Sequence, residues 1–117
     1  SANGAWHDWI EFFLQAVLKQ SEDAVLRSRQ LQELQRQYFH IGREKRFPPS
    51  ALQLIDFIFM KPVINTKSAQ DFLNLSFPGT QKSIKMLLEA GILTEITGRQ
   101  RDRAYAAREV LKILDKE

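Results

Sequence analysis

Arg99, Arg101 and Arg103 stand on or beside one tight polar turn in the stretch "GILTEITGRQRDRAYAA", between two short apolar runs. A β-hairpin with arginines at its tip is suited to gripping phosphate, because the guanidinium is planar, always charged and donates to two oxygens at once. Just upstream, "FPGTQKSIKMLLEA" reads as a helix. If its Thr80, Ile84, Leu87 and Leu88 face a core, Gln81, Lys82 and Lys85 must point outward, with Ser83 at the margin. Gln can bond adenine bidentately, and Lys can reach guanine or phosphate. Helix and hairpin together thus offer one basic, groove-sized surface for duplex DNA: Gln81, Lys82, Ser83, Lys85, Arg99, Arg101 and Arg103.

The same residues also read as a solvated or protein-docking surface. Lys and Gln are ordinary outward residues of any surface helix. Arg101 or Arg103 can pair with Glu95 across the hairpin, a contact worth only ~0.2–1 kcal/mol. Asp102 at the tip repels phosphate, and Gly79 places no side chain where the helix would first meet a groove.

No other chemistry is visible. His7 and His40 lie far apart with no carboxylate at ligand spacing, so no metal site is expected. "FPGTQKS" has a single glycine and is a helix start rather than a phosphate loop. No Ser, His and Asp are arranged as a nucleophile held by a base. Cysteine is absent, which excludes disulfides and thiolate metal sites. The chain is therefore expected to have no catalytic residues, to bind no cofactor and not to be an enzyme by itself.

With 117 residues, 44% hydrophobic and 26% charged, the chain is long enough for one or two small folded domains. Its 17 Lys and Arg against 14 Asp and Glu give only +3, so placement of the charge matters more than its sum. No apolar run suffices to span a bilayer and no signal peptide is visible, so a cytoplasmic location and no membrane partner are expected. Residues 1–4 read as a cloning remnant, and the whole as a piece of a longer protein.

The elements that must position these residues are mainly α-helical, with a small β-hairpin. From Ala5 to Ile41 there is no proline, and Ile10, Val17, Ala24, Leu31 and Tyr38 recur at heptad spacing as one stripe on a long helix. Gln20 and Arg27 interrupt the stripe, which suits packing on a larger body better than a dimeric coiled coil. Ser21, followed by Glu22 and Asp23, could instead cap a second helix, giving a helix pair. Gly42 is the expected stop, and Pro48 and Pro49 forbid continuation. This makes residues 5–46 a helical arm and 47–117 a compact domain. In the domain Ser50 is expected to cap a first helix, and "VIN" reads as a candidate third strand. Thr66 is expected to cap a second helix, Pro78 to open the third, and Glu109 to Leu114 to form a last one. Two helices joined by a tight turn, then a two-stranded wing, make a winged helix-turn-helix.

Trp6, Trp9, Phe12 and Phe13 crowd the start of the arm and cover more than one side of it. A stripe that wide is more often core than ligand site. Its covering surface is expected to be a missing N-terminal part or a second copy of the chain, through Trp6, Trp9, Ile10, Phe13 and Val17.

"WHDWIEFFLQAVLKQSEDA" resembles the segment that follows the catalytic core of bacterial Fic (filamentation induced by cAMP) proteins. "GILTEITGRQRDRAYAAREVLKIL" resembles the winged-helix end of the longer members, with the Thr-Gly turn, the Arg-x-Arg spacing and the aromatic that follows. Members of that family transfer AMP from ATP to a hydroxyl side chain of a target protein. They do so with a His-Pro-Phe…Gly-Asn-Gly-Arg loop that this sequence lacks, so no catalytic residue carries over. ATP and Mg belong to the absent core alone. The resemblance implies a non-catalytic regulatory or targeting module of a Fic-type adenylyltransferase. Trp6 to about Ile41 would pack on the protein's own N-terminal core, and Leu52 to Leu114 would be the appended domain. Such a domain would bind DNA, recruit the protein to be modified, or join two copies.

Overall fold

The computed structural model describes residues 2–98 and 102–115, with side chains from residue 5 onward. With nothing to break it, the first segment is one uninterrupted helix, α1 (Ala2–Glu44), of 43 residues. Its length is about 64 Å at 1.5 Å per residue. The alternative break at Ser21 does not occur.

The helix ends two residues beyond the expected stop. Arg46 takes the left-handed conformation at φ 56°. The Phe47 amide donates to the Gly42 carbonyl at 2.8 Å, and the Arg46 amide to that of Arg43 at 3.2 Å. This six-to-one and five-to-two pair satisfies the last carbonyls, with an arginine where glycine is usual. Gly42 has a packing role instead. A Cβ there would lie 2.8 Å from Leu52 Cδ2 and 3.2 Å from Phe47 Cδ2, so the missing side chain lets α1 approach the next helix.

After this turn come α2 (Pro49–Met60), β1 (Val63–Asn65), α3 (Thr66–Leu73), α4 (Phe77–Glu89), β2 (Thr94–Glu95), β3 (Ala104–Ala106) and α5 (Arg108–Asp115). The three strands form an antiparallel sheet in the order β1-β3-β2, with Ile64 and Glu95 both opposite Tyr105. "VIN" is thus the third strand, and the order of elements is that of a winged helix-turn-helix behind a long helix. Two of the expected caps shift. Pro48 occupies the N-cap of α2 without a side-chain bond, and Asn65 rather than Thr66 caps α3.

Leu54, Ile55 and Ile58 of α2 meet Ala69 and Leu73 of α3, Ile84 and Leu87 of α4, Tyr105 of β3 and Val110 of α5 in one core. The end of α1 belongs to it as well. Tyr38 is buried there, with Leu31, Leu34, Phe39 and Ile41 packed around its margin. The turn at 45–48 therefore separates α1 from α2 in sequence, while the two share a core.

The other end of α1 projects away, and the molecule measures 71 × 31 × 23 Å. Its radius of gyration is 20.0 Å, against about 13 Å for a compact chain of this length. Its accessible surface is 8513 Å², against roughly 6,600 Å² for a compact protein of this mass. The excess is the projecting arm.

Tyr38 carries a measurable consequence. Its ring lies 5.9 Å from that of Phe59, and its buried hydroxyl has no hydrogen-bond partner among the described residues. Burial pushes the phenol above its usual range, and the Glu109 carboxylate adds to this. A neutral hydroxyl left unsatisfied in a core costs about 1–3 kcal/mol. Tyr38→Phe should therefore raise stability by about 1 kcal/mol in urea unfolding. Because the folded phenol titrates higher than the unfolded one, the wild type keeps its full stability below about pH 10 and loses part of it above. The phenylalanine variant should lack that alkaline loss.

Candidate functional site

The turn between α3 and α4 is built by local hydrogen bonds. The Asn65 side chain accepts from the Ser68 amide at 2.7 Å, and the Ser68 hydroxyl accepts from the Asn65 amide at 3.1 Å. This capping box satisfies two donors at the start of α3. Asn74 ends α3 in the left-handed region at φ 54°. Ser76 then caps α4, accepting from the Gly79 amide at 3.3 Å, with Pro78 in the first turn.

That construction decides where the four residues of α4 point. Lys82 and Lys85 are exposed, as expected. Ser83 is not at a margin: it is 2% exposed, and its hydroxyl shares a 3.0 Å hydrogen bond with that of Ser50. It lies between Thr80 and Leu87 on the face that packs against α2, which removes it from any groove-reading set. Ser50, read as a cap, spends its hydroxyl on this contact. Gln81 is half-buried and donates to the Thr66 hydroxyl at 2.8 Å, so its amide braces α3 against α4. Reading adenine would require breaking that bond.

In the wing, Gly98 and Asp102 hold the left-handed conformations that turn the chain, at φ 64° and 52°. Arg103 Nε lies 3.7 Å from Glu95 Oε2, the cross-hairpin pairing that was one of the sequence alternatives. Arg99 and Arg101 lie outside the described residues. Between the start of α3, the start of α4 and the wing lies a cleft of about 860 Å³, whose charged lining among the described residues is Lys67, Arg103, Asp71 and Asp102.

The arm is different. Trp6 is 64% exposed, Trp9 57%, Phe13 51% and Val17 44%, and Ile10 is half-buried. The Trp6, Trp9 and Phe13 rings stack in sequence at 5.6 Å centroid spacing. Phe12, Leu14, Leu18, Val25 and Leu26 are exposed too. Among the described residues nothing beyond α1 covers these side chains. Helices in water draw most of their stability from a packed apolar face, so this half of α1 calls for a covering surface. The apolar residues outside the heptad series, Leu14, Leu18 and Val25, escaped the sequence reading although they follow a helical spacing of their own.

His40 does find a carboxylate, Glu44 one turn on at 3.0 Å. Among the described residues no third side chain joins such a pair as a metal ligand, and no helix is long and apolar enough to cross a membrane. No protein-family model matches this chain, and no curated protein matches it.

Proposed function

We propose that the chain is a non-catalytic docking module. Its aromatic arm packs on the catalytic core of a Fic-type adenylyltransferase, and its winged-helix domain presents a regulatory or targeting surface. The observation that carries this reading is the exposed Trp6–Val17 face, on the side of α1 that also bears Leu31 and Tyr38. A contiguous apolar face of this size on a protein surface marks an interaction site. The likeness of "WHDWIEFFLQAVLKQSEDA" to the segment after a Fic core supplies the partner. ATP and Mg would be bound by that core.

A second reading is duplex-DNA binding by the winged helix. It is favoured by Lys82 and Lys85, both exposed on the outer side of α4. Against it stand the fixed Gln81 amide, the buried Ser83 and the Glu95 partner of Arg103.

Two parallel titrations separate the readings. The chain is titrated with a separately produced Fic-type core from the same genome, and with a labelled random duplex at ~50 and ~200 mM salt. Docking predicts saturable binding to the core that changes little with salt, and no binding to the duplex. DNA binding predicts a steep loss of duplex affinity with salt, and a log–log slope flattened by roughly 2 when Lys82 and Lys85 are changed to Ala. That second pattern, with no binding to the core, would overturn the docking reading.

A further inference from the structure

The arm is apolar over a wider arc than one partner surface covers. At 3.6 residues per turn, Trp6, Trp9, Ile10, Phe13 and Val17 fall within about 100° of one another. Leu14, Leu18 and Val25 form a second stripe, within about 40° of one another and about 110° round the helix from the first. All three are exposed. A helix seated on one body needs a single apolar stripe a little over 100° wide. The second stripe therefore faces something else.

Its surroundings identify what. A shallow groove of about 310 Å³ is lined by Ser21, Glu22, Val25, Leu26 and Arg29. Residues 22, 25, 26 and 29 have the spacing of the four-residue hole that receives a side-chain knob from a neighbouring helix. The charge along this side is divided. Glu11 borders the stripe before Leu14, and Arg29 borders it after Val25. A second copy laid antiparallel meets both conditions in one register. Leu14 enters the hole around the partner's Val25, the partner's Leu14 enters the hole around Val25, and Glu11 comes opposite the partner's Arg29, twice over by symmetry. A parallel copy would set Glu11 against the partner's Glu11 and Arg29 against the partner's Arg29.

We propose that the Leu14–Leu18–Val25 stripe is a self-association seam through which two copies of this chain pair as antiparallel arms. The overlap from Glu11 to Arg29 is about 28 Å long. That is shorter than a standard interface of roughly 800 Å² per partner requires, so the dimer is weak and concentration-dependent. The seam leaves the Trp6–Val17 face open, and it does not depend on what covers that face.

The chain has no cysteine, so introduced thiols report unambiguously. Leu14→Cys and Val25→Cys chains are oxidised separately and as a mixture. The antiparallel seam gives a disulfide-linked dimer in the mixture and little in either chain alone. Cross-linking of either variant by itself as fully as in the mixture would overturn the proposal, and so would no cross-linking at all. Sedimentation equilibrium supplies the charge test. Glu11→Arg should weaken the dimer roughly tenfold or more by setting like charges together. Adding Arg29→Glu to it should restore the wild-type constant to within about threefold. Failure of that rescue would contradict the register. Trp9→Ser should leave the cross-link unchanged. Its loss would place self-association on the first face, against this proposal and without bearing on docking to a Fic-type core.

Discussion

Changing Trp6, Trp9 and Phe13 together to serine should abolish the proposed docking to a Fic-type core while leaving the winged-helix domain as stable as before. These three rings are 51–64% exposed and stack on one another rather than on α2–α5. Buried interface aromatics are the residues that commonly carry 2 kcal/mol or more each. Even with strong non-additivity, losing three should cost at least 4 kcal/mol, about a thousandfold in affinity. Folding stability of the domain should move by no more than about 0.5 kcal/mol, as for surface positions without packing partners. Calorimetric titration reads the first effect and urea unfolding the second. Unchanged affinity would remove the arm from the interface. A fall of several kcal/mol in domain stability would mean that the rings belong to the fold.

The opposite pattern is expected for Tyr105→Ala. Tyr105 is 1% exposed and sits in β3, the middle strand, opposite both Ile64 and Glu95. Removing a buried aromatic typically costs 3–5 kcal/mol in transfer and cavity terms. A domain stabilised by about 5–15 kcal/mol loses roughly a fifth or more of its margin that way. The loss should appear as a lower urea midpoint at near-constant slope, with both edge strands released together. A cost below about 1 kcal/mol would mean that the sheet does not depend on its centre.

Proline and glycine placement, with apolar spacing, made the helical arm and the helix–turn–helix legible in the sequence, and the β-prone "VIN" marked a candidate third strand. One helix or two remained open for the arm, because Ser21 could serve as a cap. Those signals act through backbone geometry and local burial, which neighbours in sequence determine. Less legible was the fate of individual polar side chains. Ser83 and Gln81 occupy positions that helical periodicity marks as marginal or outward. Ser83 is taken inward by a hydroxyl on α2, Gln81 by one on α3, and neither partner is a sequence neighbour. The helix end moved past Gly42 for a similar reason. That glycine serves contact with Leu52 and Phe47, while Arg46 takes the strained position. Of the groove set, the outward placement of Lys82 and Lys85 was legible, and so was a pairing of Arg103 with Glu95. The second stripe of the arm was present in the spacing but obscured by the aromatics beside it.

The two tryptophans of the chain, Trp6 and Trp9, both lie on the face assigned to docking. Quenching of their emission by acrylamide, with and without the Fic-type core, is therefore the most direct test of the docking account. Alone, the chain should quench readily, as exposed indoles do. With saturating core the emission should shift to the blue and quenching should fall several-fold. Quenching that stays the same with the core present, at concentrations where sedimentation shows no complex, would contradict the assignment of this arm as its docking surface.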